Sequence, residues 1–381
     1  MKVTHFVRWL LPHTASFIRN QIFLHQRYSP SVVYAQKKEG PFFDEIAERF
    51  DMFSPLSTTL DHFLYNKTRL LSGSGKKNLK KFLRNQKSEI YHLHYGVDCL
   101  IYSDVIRDMG VPSCVSFYGY DCTSFPERFF GLGKKLLVRY VFMNPSIKIV
   151  FAMSEDMRND LLSLGCPESK IIVHYYGTDT SKFYQEHERK IKDTVDLLII
   201  SGLYKKKGHL FLLEALCCLS PDTMKRVHLH IVGEGPMRGL IERFIDEKKV
   251  SNVTLHGSIV YGSDEHLNFL HKADIFVHPS VTSGNGDKEG IPGSIIEAMA
   301  SGLPTISTYH AGIPSVIEDG RTGILVRESN IADLKLALES LISNHKLRSV
   351  IGAAGQKYAI NQLDVQKKEE ELEYFYDKII T

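Results

Sequence analysis

Two glutamates, Glu289 and Glu297, are separated by seven residues that include Gly290, Ile291, Pro292 and Gly293. A strand signal ends upstream at His278-Pro279-Ser280, a polar loop runs from Val281 to Lys288, and a helix is expected to begin near Ser294 and to stop at Gly302 and Pro304. A helix start presents unpaired N–H groups and the positive end of its dipole, a natural seat for a diphosphate. Gly290 and Gly293 let the backbone approach such a ligand closely. Glu289, outside the helix, can accept hydrogen bonds from sugar hydroxyls, and Glu297, one turn in, can accept them from a ribose diol. Two carboxylates at this spacing suit a neutral polyol on either side of a phosphate pair. Read alone, Glu297 is equally an ordinary solvated first-turn acid favoured by the dipole.

These residues need a scaffold, and the surrounding pattern supplies one. In the second half, short β-branched runs (Leu197–Ile200, Val227–Val232, Val253–His256, Ile275–His278 and Thr305–Thr308) alternate with helical patterns at Leu210–Leu219 and Met237–Lys248. In the first half, Val3–Val7, Val32–Ala35, Ile90–Leu93, Ser113–Phe117, Ile147–Phe151 and Lys170–Val173 alternate with helical patterns such as Phe17–Tyr28 and Phe129–Phe142. Such alternation predicts parallel sheets covered by helices. The polar stretch Thr178–Thr194 is the expected junction of two α/β domains, and the last twenty residues read as a final helix. Ligands of such sheets bind at the carboxyl ends of the strands, so two domains facing each other would form a deep cleft.

A chain of 381 residues with 43% hydrophobic and 24% charged residues fits two globular domains. Its net charge of +3 is far from that of a nucleic-acid-coating protein, and no nucleic-acid partner is expected. The six cysteines (Cys99, Cys114, Cys122, Cys166, Cys217 and Cys218) show no metal-ligand spacing and read as small core residues. Thr4, His5 and Arg8 interrupt the first apolar run, and Pro12 and His13 follow it, so a buried strand is expected there rather than a signal peptide. No run approaches the roughly 20 apolar residues of a membrane span, and a cytoplasmic location is expected. Lys76–Lys87 holds six basic residues, with Leu79, Phe82 and Leu83 at helical spacing. This segment is either a peripheral contact with an anionic membrane or a solvated basic helix with an ordinary core stripe.

The run from Ser280 to Val326 resembles the donor-site signature of the family-4 retaining glycosyltransferases, which have the GT-B fold. The likeness continues through IVGEGP at 231–236, VTLHGSI at 253–259 and ADIFVHPS at 273–280. In the first half it is carried by TASFIRNQI at 14–22, HLHYG at 92–96, SFYGYD at 116–121 and VHYYGTDTSKF at 173–183. The pattern is most similar to the bacterial branch that builds exopolysaccharides and other cell-surface glycans.

The resemblance implies an α/β GT-B architecture of two Rossmann-like domains with parallel sheets facing a central cleft. Residues 1–185 would form the acceptor-side domain, with a C-terminal helix near 360–381 packing back onto it, and residues 186–359 the donor domain. It further implies that Glu289 contacts the donor sugar, that Gly290, Ile291, Pro292 and Gly293 hold the sugar and diphosphate, and that Glu297 binds the ribose. Lys207, in KKKGH, matches the lysine that neutralises the leaving diphosphate, while Gly233 and the Gly257-Ser258-Ile259 loop would flank the nucleotide. Gly312-Ile313-Pro314 matches a family motif to which a structural role is given.

The chain departs from the family in two places. Ser201-Gly202-Leu203-Tyr204-Lys205 lacks the arginine usual before the lysine, so Lys205 or Lys206 is left to supply the second charge. Tyr118 stands where a histidine is usual; it can donate a hydrogen bond but is a poor base near neutrality. His94 is an alternative residue of the same region, or else a strand-end histidine with a structural hydrogen bond. No Asp-x-Asp pair occurs in the chain. The expected reaction is therefore metal-independent transfer with retention, from a UDP- or GDP-sugar to a hydroxyl of a glycan or lipid-linked acceptor, without a cofactor. A sugar-nucleotide epimerase, another enzyme of the same architecture, and a non-catalytic sugar-binding protein are the rival readings.

Overall fold

A computed structural model describes residues 1–10, 16–37, 48–52, 71–128, 130–186, 192–284 and 286–380. The chain divides into two compact units, one of Met1–Gly177 with Gln366–Thr381 and one of Thr178–Val365. The first is built on a seven-stranded parallel sheet with order β3-β2-β1-β4-β5-β6-β7. Its strands are β1 (Lys2–Leu10), β2 (Ser29–Lys37), β3 (Arg49–Asp51), β4 (Ile90–His94), β5 (Ser113–Ser116), β6 (Ile147–Ala152) and β7 (Ile171–Val173). The second has a six-stranded parallel sheet with order β10-β9-β8-β11-β12-β13. These are β8 (Val195–Ile200), β9 (Val227–Val232), β10 (Val253–His256), β11 (Ile275–His278), β12 (Thr305–Thr308) and β13 (Ile324–Val326). The central strands are buried on both faces because helices cover both, as in β4 and β11, where every residue is buried.

Every strand expected from the sequence is present. The three-residue strands β3 and β13 are additions, too short to show a period. The helix expected over Phe17–Tyr28 is shorter, Ser16–Phe23. It stops early because Glu373 Oε1 takes the N–H groups of Gln26 and Arg27, at 2.8 and 2.9 Å, that a longer helix would have used. The pattern at 129–142 forms a helix, Leu132–Leu137, running into a wider turn, Val138–Phe142; Phe129 lies outside the described residues, as do Pro12, His13 and residues 187–191 of the expected junction. The boundary falls at Gly177, earlier than the expected 185, because Phe183 is fully buried in the second unit against the rings of Tyr261 and His266.

The basic segment forms the helix Gly73–Gln86. Leu79 and Leu83 are buried, and the Phe82 ring lies tilted with its centroid 5.0 Å from that of Phe50, so its apolar stripe belongs to the core. Lys76 and Lys80 pair with Asp104 and Asp108 of the neighbouring helix. Among the described residues no helix is long and apolar enough to cross a membrane. All six cysteines are free thiols.

Candidate active site

In the second unit, the segments singled out in the sequence follow the carboxyl ends of β8, β9, β10 and β11, on one edge of one parallel sheet. The loop after β8 carries Lys205–Lys207 in one tight helical turn that ends at Gly208, whose φ is +74°. A Cβ there would sit 1.9 Å from Pro279 O, so only glycine lets the lysine loop close against the end of β11. Gly233, after β9, is tied to the β10 loop by its N–H, which donates to Gly257 O at 3.1 Å. Ser258 and Ile259 continue that loop, with Ser258 exposed.

Glu289 is the centre of charge. Lys207 Nζ donates to its Oε2 at 2.8 Å, and Lys206 Nζ lies 3.4 Å from its Oε1 and 3.2 Å from Asp287. The side chain is only 9% exposed. Burial alone would raise its pKa, but Lys207 and Lys206 outweigh burial and hold it at about 2. Of the two lysines left open by the sequence, Lys206 is therefore the one against Glu289. Lys205 is exposed and lines an adjoining depression with Tyr204, Met237 and Asp287.

Ile291 and Pro292 are buried and anchor the loop that begins with Glu289 and Gly290. The helix that follows is Gly293–Ala300, one residue earlier than expected, with Pro292 as N-cap and no side-chain cap on its first N–H groups. Glu297 is 7% exposed, so it is not the solvated first-turn acid that the sequence also allowed. Its Oε2 lies 3.4 Å from His266 Nε2. Because the Gly262 N–H donates to His266 Nδ1 at 3.0 Å, the neutral ring carries its proton on Nε2, facing Glu297.

His266 and His310 were not legible as site residues. His310 Nε2 accepts the Glu289 N–H at 3.0 Å, which fixes the proton on Nδ1, 2.8 Å from Glu328 Oε1. Glu328 in turn accepts from the Thr282 N–H at 2.7 Å. His310 thus clamps the loop that presents Glu289 and joins it to β13's outgoing segment. Replacing it with alanine would take the acceptor from the part-buried Glu289 N–H and cost up to about 1–3 kcal/mol. Urea unfolding of His310→Ala should show that loss; an unchanged midpoint would remove the clamp. His278, buried at the end of β11, has its pKa lowered to about 3 by burial and then by Lys207, and its Nδ1 meets Ser280 Oγ at 3.0 Å.

In the first unit, Tyr118 and His94 are brought together at the carboxyl edge of the sheet, after β5 and at the end of β4. The Tyr118 hydroxyl lies 2.7 Å from His94 Nδ1 and donates to Gln21 Oε1 at 3.2 Å. Burial pushes the Tyr118 pKa well up and the His94 pKa down to about 3, so neither is charged near neutrality. Asp121 accepts the N–H groups of Gly96, Tyr118 and Gly119 and so locks the two loops together.

Ligand atoms of His5, His92 and His94 cluster closely enough to hold a metal ion, as do those of His25, Glu369 and Glu373. Each ring nitrogen of the first trio already faces a hydrogen-bonding partner: His92 meets Tyr376 and Ser116, and His5 lies between His25 and His94. In the second group Glu373 is occupied by two backbone N–H groups and Arg27.

Residues 8–182 match the family described as Glycosyltransferase Family 4, and residues 194–344 match the one described as Glycosyl transferases group 1. WcaL of Salmonella typhimurium, a glycosyltransferase named for colanic acid biosynthesis, is 33% identical over 213 residues, 55% of this chain and 52% of WcaL. The amylovoran biosynthesis glycosyltransferase AmsK of Erwinia amylovora is 31% identical over 192 residues, 50% of this chain and 46% of AmsK. The chain spans about half the length of these curated relatives. The crystal structure of Anabaena HepE in complex with UDP shares the fold, with a TM-score of 0.78 at 15% identity over 99% of this chain and 100% of HepE. Matched in both halves and alike in fold along its length, the protein belongs to the family-4 glycosyltransferases of the GT-B fold.

Proposed function

We propose that the chain transfers a sugar from a nucleotide-sugar donor to a hydroxyl of a glycan or lipid-linked acceptor in cell-surface polysaccharide synthesis. The observation that carries this reading is the buried Glu289 carboxylate held between Lys206 and Lys207 beside the uncapped start of Gly293–Ala300. That start and the two lysines would take the donor's diphosphate, Glu297 with His266 behind it would take the ribose, and Glu289 would hold the sugar. Gly233, Gly257, Ser258 and Ile259 would border the nucleotide, with Lys205 at the rim. The names of the relatives, colanic acid and amylovoran synthesis, and the UDP bound by HepE point to the same chemistry.

In this reading the acceptor hydroxyl attacks from the leaving-group side and the configuration is retained. The departing phosphate helps remove the proton, and Lys207 and the helix start stabilise the developing charge without a metal. Tyr118, backed by His94 in the first unit, would donate a hydrogen bond to a sugar hydroxyl. Any contact with an anionic membrane through Lys76–Lys87 rests on charge alone, since the exposed charged residues of that helix are Lys77, Lys81 and Arg84, with Lys87 at its end, and none of its exposed residues is apolar.

Thermal shifts with UDP, GDP, ADP and their sugar conjugates, run in EDTA, test the reading. One nucleotide series at a hundred times its dissociation constant should add about 2.7 kcal/mol of stability. A shift only when EDTA is omitted would overturn metal independence, and release of an isomerised sugar without any acceptor would replace transfer by epimerisation.

A further inference from the structure

Behind Tyr118 lies a row of imidazoles. His94 Nε2 is 3.0 Å from His5 Nδ1, and His5 Nε2 is 2.9 Å from His25 Nε2. His25 Nδ1 is 2.6 Å from Glu369 Oε1 and 3.5 Å from Glu373 Oε1. His5 and His94 are fully buried, and the side chains of His25, Glu369 and Glu373 are 1% exposed. All belong to the first unit, with both glutamates on its last helix, Val365–Ile380.

A neutral imidazole has one donor and one acceptor nitrogen, so a row joined nitrogen to nitrogen has a direction. With both nitrogens of His25 protonated, its Nε2–H donates to His5 Nε2, His5 Nδ1–H donates to His94 Nε2, and His94 Nδ1–H donates to the Tyr118 oxygen. The Tyr118 O–H then points outward, as its bond to Gln21 Oε1 requires. Take the proton from His25 Nε2 and every bond reverses. His5 Nε2–H donates to His25, His94 Nε2–H donates to His5, and the Tyr118 O–H turns inward to His94 Nδ1. Lone pairs of Tyr118 then face the Gln21 oxygen, acceptor against acceptor. We propose that the protonation of His25, held beside Glu369 and Glu373, sets, through His5 and His94, the direction in which Tyr118 offers its hydroxyl hydrogen. His25 and Glu369 are thus positioning residues. The benefit to transfer rests on the proposed reading that Tyr118 hydrogen-bonds a sugar hydroxyl.

The groups around His25 are His5 from β1, His92 and His94 from β4, Tyr28, and Glu369, Glu373 and Tyr376 from the last helix, with Arg27 reaching it through Glu373. Burial alone would lower the His25 pKa, but Glu369 and Glu373 carry it above its ordinary value. Burial, then the charge of His25, holds His5 far below that value. Arg27 is spent on Glu373 and Asp377, and Tyr28 donates to Asp377. Because the His25 pKa is raised, the outward state holds at lower pH and is lost as pH rises through that pKa.

The test is long-range nitrogen–proton NMR on the full chain labelled with 15N-histidine. Signals are assigned by single substitutions, and unfolding midpoints confirm that each variant folds. Below pH 6.5, the ordinary value above which its pKa is raised, His25 should be protonated on both nitrogens, and His5 and His94 on Nδ1. Raising pH should move both His5 and His94 protons to Nε2 in one step, and Glu369→Gln should bring that step to lower pH. Nε2 protons on His5 and His94 at that lower pH, or tautomers that ignore His25, would overturn the proposal. In transfer assays Glu369→Gln should lower kcat about tenfold with the donor KM unchanged, and move the alkaline limb of the pH profile with the NMR step. An unmoved limb in an active enzyme overturns the link to catalysis. A wild-type chain with no transfer at all would sink the functional reading while the NMR result still decides the direction of the row.

Discussion

Glu289→Gln should lower kcat/KM for sugar transfer roughly a hundred- to ten-thousand-fold. The substitution keeps the shape of the side chain and removes its charge. A hydrogen bond to a charged group contributes about 1.5–3 kcal/mol, and loss of two of them between Glu289 and the sugar gives that range at about 1.36 kcal/mol per tenfold. The amide also leaves Lys206 and Lys207 facing no carboxylate at Glu289, so the site loses the arrangement that fixes both cations. The pH dependence follows with a definite sign. The folded-state pKa of Glu289 is depressed to about 2. Its contribution to stability is therefore fully present above the unfolded value of about 4.3 and is lost as pH falls from there toward 2. Activity should show no acid limb from this residue between neutrality and about pH 5. Steady-state rates in the Gln variant and a stability profile of the unmutated chain check both statements; near-wild-type turnover would remove Glu289 from the site.

Much of this site was legible because it is local. The two glutamates, the glycines and the proline lie within one loop and one helix start, and their spacing alone suggested a polyol and a phosphate pair. What was not legible is what folding assembles from a distance. His310 and His266 are isolated residues in the sequence, 21 beyond Glu289 and 31 before Glu297, and no period links them. Three consecutive lysines look alike until the tight turn at Lys205–Lys207 and the positive φ of Gly208 decide which two face inward. The stripe of Leu79, Phe82 and Leu83 illustrates another ambiguity, since a helix packs its apolar face into a core or onto a membrane with the same spacing. The early stop of Ser16–Phe23 has a tertiary cause as well: the capping carboxylate, Glu373, lies about 350 residues away in the chain.

The imidazole row shows the same division. His92 and His94 are visible as an alternating pair on one strand, and Tyr118 as a departure from the family's histidine. That departure looked like the loss of a base. The folded chain instead places a second histidine directly behind the tyrosine and carries the contact on to two buried carboxylates. In the proposed role a tyrosine so held needs no ionisation, because what it would supply is a hydrogen bond whose direction the row sets.

Lys207→Met should lower kcat roughly a hundred- to a thousandfold while changing the donor KM little, because in the proposed role the charge it would meet grows mainly as the sugar leaves the diphosphate. Methionine keeps the length of the apolar stem and removes only the ammonium. In the unliganded chain that ammonium is spent on Glu289, 2.8 Å away, so the two residues form one unit and their substitutions should not add. The double variant Glu289→Gln, Lys207→Met should be less impaired than the product of the single losses, by a coupling of about 0.5–3 kcal/mol. Lys206 supplies the control. It also touches Glu289, but it shares its charge with Asp287, so Lys206→Met should cost less than Lys207→Met in kcat. The reverse order would move the diphosphate contact from Lys207 to Lys206, and strict additivity of the Glu289 and Lys207 losses would separate the carboxylate that holds the sugar from the cation that receives the leaving charge.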